Sequence, residues 1–145
     1  KNLVADVAQT QAIKGHKVLV VADRVQFLED IAALCGDNAI VITGKTDNRD
    51  ELMQSIYEDK DILCGSISIF SEGISLSALS SIVLATPINN EPMLTQLIGR
   101  IIRLGEDKLS PEVIDLNLKG STANNQAVAR LGLYIKLGYK VYDIA

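Results

Sequence analysis

Residues 18–22, with the sequence VLVVA, form an uninterrupted apolar run near the start of the chain. A strand with one solvent-facing side alternates apolar and polar residues, whereas this run offers apolar side chains to both faces. The pattern is typical of a strand that is buried on both faces of a parallel sheet. The run therefore favours a fold in which helices cover both sides of the sheet.

Short apolar segments of this kind alternate with helical patterns along the chain. Further strands are predicted at residues 39–43, 62–64, 81–85, 113–118 and 139–144. Helices are predicted at residues 1–14, 23–35, 47–58, 92–103 and 122–137. This alternation indicates βαβ crossovers, so we predict a single α/β domain over residues 1–145, with three layers (αβα) and a mainly parallel central sheet.

Local details follow from the same patterns. Asp23 is the expected N-cap of the second helix, and Gly36 its expected end. The apolar pattern of the first helix comprises Leu3, Val4, Val7, Ala8 and Ile13. The residues expected to face inward from the second helix are Phe27, Leu28, Ile31 and Leu34. His16, the only histidine, is predicted to be a surface turn residue.

Composition limits the classes of function. Hydrophobic residues make up 48% of the 145 residues, which excludes a disordered chain. The net charge of −4 does not favour strong non-specific nucleic-acid binding, so any such binding must come from local positive patches. The sequence contains neither a run of 18 apolar residues nor a signal peptide, which predicts a soluble, cytoplasmic protein.

The cysteines and the first residue carry two further expectations. Cys35 and Cys64 lie 29 positions apart, so neither a zinc site nor a disulfide framework is predicted. Both are expected to be small buried hydrophobic residues. The chain starts at Lys1 without a methionine, and we expect it to be a piece of a longer protein.

Residues 92–103, with the sequence PMLTQLIGRIIR, predict an amphipathic helix. At about 100° per residue, Gln96, Arg100 and Arg103 fall within an arc of roughly 60°. The apolar residues on the opposite arc are Leu94, Leu97, Ile98, Ile101 and Ile102. The polar arc has two interpretations. It could be a solvated face, which is the interpretation that this helix by itself favours. It could also be an anion site, because two guanidinium groups one turn apart suit phosphate.

Two other segments could bind phosphate. Residues 44–46 (GKT) follow a strand, but a P-loop needs a glycine five positions before Gly44, where Ala39 stands. We interpret that segment as a turn. Residues 65–76 contain several serines and two glycines, whose hydroxyl and backbone N–H groups could bind phosphate oxygens. A serine-rich connection is an equally good interpretation. No catalytic triad or G-x-S-x-G motif is present.

The order of these segments resembles the second RecA-like domain, the C-terminal motor lobe, of superfamily 2 helicases. Residues 18–29 (VLVVADRVQFLE) are similar to motif IV, and residues 62–76 (ILCGSISIFSEGISL) to motif V. Residues 96–103 (QLIGRIIR) are similar to motif VI in its Q-x-x-G-R-x-x-R form. The resemblance covers essentially the whole chain.

The resemblance implies a role in ATP hydrolysis. In the family, ATP lies between two RecA-like lobes, and the N-terminal lobe holds the P-loop and the Mg²⁺-binding acids. Carried over to this chain, Arg100 and Arg103 would be catalytic and reach the γ-phosphate, with Arg103 as the expected arginine finger. Gln96, Gly73 and Ser75 would lie at the nucleotide and the lobe boundary. No metal ligand is assigned to this chain, and the isolated domain is expected to be inactive.

The resemblance also implies contacts with nucleic acid. Ser66 matches a hydroxyl position that contacts a phosphate, and Asp23 and Arg24 would lie along the nucleic-acid track. Many family members have an acid where Ser75 stands, and many RNA helicases have histidine where Gln96 stands. The sequence is more similar to DNA-repair, recombination, restriction and phage helicases, which makes DNA the expected substrate and a bacterial or phage-infected cell the expected setting.

Two functions are therefore predicted as alternatives. The first is the C-terminal motor lobe of an ATP-dependent nucleic-acid helicase or translocase, working with an N-terminal lobe in the same chain. The second is a free-standing α/β module that binds a nucleotide or a protein and has no motor activity. A P-loop and an Asp-Glu motif encoded upstream would distinguish the first from the second.

Overall fold

The computed structural model describes residues 2–43, 51, 54, 58–66, 79–85, 92, 95–97 and 112–115. Its helices are α1 (Asn2–Ile13) and α2 (Val25–Cys35), and α2 runs into a short 3₁₀ helix (Gly36–Asn38). Its strands are β1 (Val18–Ala22), β2 (Ala39–Ile42), β3 (Ile62–Ser66), β4 (Ser81–Leu84) and β5 (Glu112–Asp115). All five predicted strands within this part of the chain are present: β1 has the predicted bounds, and the described ends of the others lie one or two residues from the predicted ones.

The strands form a parallel sheet in the order β2-β3-β1-β4-β5. The central strand β1 pairs with β3 on one side and β4 on the other, and Val18 is in register with both Ile62 and Ser81. Every residue of β1 is fully buried, as the apolar run predicts. The α/β fold with a parallel sheet is therefore confirmed.

Both faces of the sheet are buried. One face packs under α1 and α2, which also contact each other. Its strand residues are Val18, Val20, Ala22, Ile62, Cys64, Val83 and Ile114. The buried residues of the other face are Leu19, Val21, Ile40, Ile42, Leu63, Ile82 and Leu84. Burial on both faces is what the three-layer arrangement requires.

The second helix ends as predicted but begins later. Gly36 has φ 77° and ψ −147°, and its backbone N–H donates to the carbonyl of Ala32, so it ends the helix. The prediction that Asp23 is the N-cap is wrong, because the helix starts at Val25 and its N-cap is Arg24. Arg24 is extended (φ −107°, ψ 124°) and makes no capping hydrogen bond through its side chain.

Several apolar residues of the helices face solvent instead of the core. Leu3 is 61% exposed, Ile13 87% and Leu34 48%, so the inward orientation predicted for Leu34 is wrong. In α2 the buried positions are Leu28, Ile31 and Cys35. Leu34 lies about 100° around the helix from Cys35, and this rotation takes it off the buried face.

Other predicted elements lie partly or wholly outside the described residues. In the predicted helix at 47–58, Glu51, Gln54 and Glu58 are helical and exposed, and Gln54 Nε2 donates to Glu58 Oε1 at 3.0 Å. In the predicted helix at 92–103, Pro92 and residues 95–97 are helical. The helix at 122–137 and the strand at 139–144 remain predictions.

The amino ends of three strands are joined by one polar network. Asp61 accepts from Lys17 Nζ at 2.7 Å through Oδ1 and from Asn38 Nδ2 at 3.2 Å through Oδ2. Its backbone N–H donates to Asn38 Oδ1 at 3.0 Å, and its carbonyl accepts from Val18 N at 2.7 Å. The network therefore aligns the starts of β1, β2 and β3.

His16 also belongs to this edge of the sheet. Its side chain is 3% exposed, and its Nδ1 lies 2.7 Å from Ser80 Oγ. The prediction of a surface turn residue is therefore wrong: the turn between α1 and β1 folds back under β4 and buries the imidazole.

Both cysteines are free and buried, which confirms their prediction as small core residues. Burial, followed by the nearby Cys35, raises the pKa of Cys64 to about 12. Burial, followed by the charge of Asp6, raises the pKa of Cys35. The thiolate is the reactive form, so neither sulfur is suited to nucleophilic chemistry.

We expect iodoacetamide at pH 8 to modify both thiols slowly in the native protein and rapidly in guanidinium chloride. The raised pKa of Cys64 lowers its thiolate fraction roughly a thousandfold at this pH. Raising the pH toward 12 ionises the unfolded thiols first, because their pKa is lower, and so destabilises the fold. Mass spectrometry of the alkylated protein measures both rates. Fast native labelling of Cys64 would contradict the buried assignment.

Candidate functional site

The carboxyl ends of the parallel strands meet at one edge of the sheet, which we call the carboxyl edge. Its residues are Asp23 and Arg24 after β1, Thr43 after β2, Ser66 at the end of β3, and Ala85 after β4. Neighbouring strands lie about 4.8 Å apart, and the order of strands sets Ser66 between Thr43 and Asp23. Ligands of open parallel sheets bind at this edge.

The strand register brings three of the predicted nucleic-acid residues to this edge. Ser66 is the partner of Ala22, the residue that precedes Asp23 and Arg24. Ser66 is 6% exposed, whereas Asp23 and Arg24 are exposed. The edge thus presents two opposite charges beside a largely buried hydroxyl. A hydroxyl can donate to a phosphate oxygen, and a guanidinium can neutralise one.

Thr43 repeats the arrangement on the neighbouring strand. It follows Ile42, the register partner of Gly65, and is 7% exposed. The sequence analysis predicts Thr43 as the last residue of a strand and assigns it no functional role. The signal that identifies it is a hydroxyl residue directly after an apolar strand, and Ser66 carries a similar signal as the last residue of β3.

The sheet has its topological switch point between β1 and β4. The chain leaves β1 for β2 on one side, whereas it leaves β4 for β5 on the other. Connections that diverge in this way open a crevice at the carboxyl ends of the two strands. Asp23 and Arg24 border the crevice at β1. Ala85 borders it at β4, where its N–H donates to the carbonyl of Val21 at 2.9 Å.

Gln96 lies in the helical segment that follows β4 in sequence. It is exposed, whereas its neighbour Leu97 is 1% exposed, and Thr95 and Pro92 are also exposed. This local pattern agrees with the amphipathic helix predicted at residues 92–103. An exposed amide can both donate and accept hydrogen bonds.

The other predicted site residues lie outside the described residues. They are Gly73, Ser75, Arg100 and Arg103. Their roles remain predictions from the sequence. Within the described part of the chain, acidic, histidine and cysteine side chains form no group of three that could hold a metal ion. Over the same residues, no helix is long and apolar enough to cross a membrane.

The sequence prediction missed a set of buried polar residues at the opposite edge. They are Gln11, His16, Ser80 and Ser81, and each is at most 4% exposed. The sequence signal is the pair Ser80 and Ser81 immediately before the apolar residues of β4, whereas no local signal marks Gln11 or His16.

Comparison with known proteins agrees with this geometry. The family described as helicase conserved C-terminal domain matches residues 2–105. "Probable helicase D10" of Escherichia phage T5 is 36% identical over 146 residues, which cover 97% of this chain and 32% of that protein. The chain thus spans about a third of this relative's length.

Two solved structures share the fold. The crystal structure of T4 UvsW superposes with a TM-score of 0.71 at 21% identity, over 92% of this chain and 32% of that one. The C-terminal part of the Fun30 ATPase domain gives a TM-score of 0.63 at 22% identity, over 79% of this chain and 39% of that one.

These structures confirm the RecA-like arrangement of the sheet and helices. The family match extends through the motif IV strand and the helix of Gln96, the same segments on which the resemblance rests. The chain therefore belongs to the helicase conserved C-terminal domain family and has a RecA-like fold.

Proposed function

We propose that the chain is the C-terminal motor lobe of an ATP-dependent helicase or translocase that acts on DNA, in the cytoplasm of a bacterial or phage-infected cell. The observation that carries the proposal is the helical segment at residues 95–97, where Gln96 is exposed and Leu97 buried within the family match. A motif VI helix must present a polar face to a second lobe while its apolar face packs on its own sheet.

ATP would bind between this lobe and an N-terminal RecA-like lobe in the same chain. The exposed amide of Gln96 offers a donor and an acceptor to the nucleotide or to the facing lobe. Mg²⁺ would be held by the acidic residues of that N-terminal lobe, as the family resemblance implies. When bound, Mg²⁺ neutralises charge on the phosphates.

Arg100 and Arg103 would supply the positive charge that this lobe adds to the reaction. In a helix they follow Gln96 by four and seven residues, spacings that share one helical face. A guanidinium directed at the γ-phosphate stabilises the charge on its oxygens in the transition state. We assign Arg103 as the arginine finger and Arg100 as a second phosphate contact, with Gly73 and Ser75 beside the nucleotide.

The carboxyl edge would grip the nucleic-acid backbone. Ser66 at the end of β3 offers a neutral donor, and Arg24 just after the adjacent strand β1 offers a positive charge; both are suited to phosphate. Asp23, next to them, would orient Arg24 or exclude misplaced phosphates. Closure of the two lobes on ATP, followed by reopening after hydrolysis, would move these contacts along one strand. We place the protein among helicases of the DNA-repair and recombination type.

Replacing the finger should stop ATP turnover without unfolding the protein. In the full-length protein we expect Arg103→Ala to lower kcat by about 10³ or more, because the transition-state charge loses its partner. Steady-state ATP hydrolysis with single-stranded DNA measures the loss. Arg49→Ala, which removes an arginine outside the three motifs, is the matched control. Near wild-type turnover in the Arg103 variant would contradict the assignment of Arg103 as the arginine finger.

The two backbone contacts should differ in their dependence on salt. Arg24→Gln removes a charge that displaces counterions from the nucleic acid. The negative slope of log binding constant against log salt concentration should therefore become shallower by about 0.7 for single strands. Ser66→Ala should weaken binding with the slope unchanged, because a hydroxyl displaces none. Fluorescence anisotropy with single-stranded DNA and RNA of one sequence measures both slopes. Equal slopes for the wild type and both variants would show that Arg24 does not contact the nucleic-acid backbone. Tighter binding to RNA than to DNA would contradict the assignment of DNA as the substrate.

A further inference from the structure

Four buried polar side chains join α1 to the start of β4. Gln11 Nε2 donates to Ser81 Oγ at 2.9 Å, and His16 Nδ1 lies 2.7 Å from Ser80 Oγ. The backbone N–H groups of Ser80 and Ser81 both donate to the carbonyl of Lys17, at 2.9 and 3.2 Å. We call Gln11, His16, Ser80 and Ser81 the amino-edge clamp.

The clamp is not a catalytic pair. A histidine and a serine in hydrogen-bond contact can form a nucleophile and its base. Here, however, His16 is 3% and Ser80 4% exposed, so a substrate has no access to the hydroxyl. Both also lie at the amino end of the sheet, opposite the edge at which ligands of parallel sheets bind. The pair is therefore structural or positional.

Apolar packing alone does not fix β4 along its own axis. Ile82, Val83 and Leu84 are buried on both faces of the sheet, so a slip by one residue would still bury apolar side chains on each face. Such a slip moves the strand by about 3.3 Å. It would also take both serine hydroxyls away from Gln11 and His16, and buried polar groups without partners are costly.

The position of β4 matters because the helix of Gln96 follows it. Leu84 pairs with Val21 at the carboxyl end of the strand, and Ala85 is hydrogen-bonded to Val21 just beyond it. The chain then reaches Gln96 within 11 residues. A misplacement of about 1 Å in a catalytic group can lower the rate about a hundredfold. A slip of β4 would therefore cause a large loss of catalytic rate.

We propose that Gln11 and His16 are positioning residues that fix β4 along its axis and thereby fix the helix of Gln96 against the facing lobe. This inference rests on the proposed motor function. The hydrogen bonds to Ser80 and Ser81 specify the position of β4 along its axis, which its apolar residues do not fix. Buried polar pairs can specify register in the same way. Neither residue contacts the nucleotide or the nucleic acid.

The decisive variant is Gln11→Met in the full-length protein, because methionine keeps the length of the side chain and removes its hydrogen bond to Ser81. We expect kcat for DNA-stimulated ATP hydrolysis to fall about tenfold or more. KM for ATP should stay within about twofold, because ground-state binding is untouched. Ile13→Ala, which removes an 87% exposed side chain from the same helix, is the matched control and should retain full activity.

A second pair of variants covers the histidine. His16→Asn keeps a hydrogen-bonding amide near the Nδ1 position and should retain most of the turnover, whereas His16→Ala should lose it as Gln11→Met does. Turnover is expressed per folded molecule, with the folded fraction taken from circular dichroism. Full turnover per folded molecule in Gln11→Met, even with a lower Tm, would overturn the proposal.

Hydrogen exchange on the same proteins provides a readout that does not need activity. We expect Gln11→Met to speed amide exchange in peptides covering residues 79–85 and 92–97, and to leave peptides of β2 and β3 unchanged. Uniform acceleration, or no change at 92–97, would refute positioning. If the wild-type protein shows no DNA-stimulated turnover, the proposed function fails. The exchange pattern alone then decides whether the amino-edge clamp positions β4 and the helix of Gln96.

Discussion

The structure depends on the complete burial of β1. Its five residues are fully buried, and their backbone groups pair with β3 on one side and β4 on the other. A strand with no polar side chain can exist only where other strands satisfy its backbone and apolar layers cover both faces. The order of the sheet, the packing of α1 and α2, and the position of the carboxyl edge all follow from this central strand.

The two ends of the sheet carry different chemistry. At the amino end, polar side chains are hydrogen-bonded to one another: the buried Gln11 to Ser81, and the partly buried Lys17 to Asp61. Such contacts hold neighbouring elements in one alignment. At the carboxyl end, Asp23 and Arg24 are exposed beside the buried hydroxyl of Ser66. The proposed motor function needs both properties, because a force on the nucleic acid would have to be transmitted through strands that do not slide.

Much of the fold can be predicted from hydrophobic patterns, because strands buried on both faces have few polar residues to obscure them. The polar contacts cannot be predicted in the same way. His16 and Ser80 are 64 positions apart, and nothing local indicates that they meet. The start of α2 is predicted one residue too early, because Asp23 is a residue type typical of N-caps but lies before the turn from strand to helix. The candidate site residues are predicted from resemblance to motifs, because a hydroxyl at the end of a strand does not by itself indicate a phosphate contact.

The most direct test of the motor account is a distance between the helix of Gln96 and bound nucleotide. Thr95→Cys gives an exposed thiol for a nitroxide label, and the buried native cysteines remain unlabelled. Electron paramagnetic resonance then measures the distance to Mn²⁺ bound with a non-hydrolysable ATP analogue in the full-length protein. The account predicts less than about 20 Å, because the helix faces the nucleotide; about 30 Å or more, the width of a small domain, would contradict it.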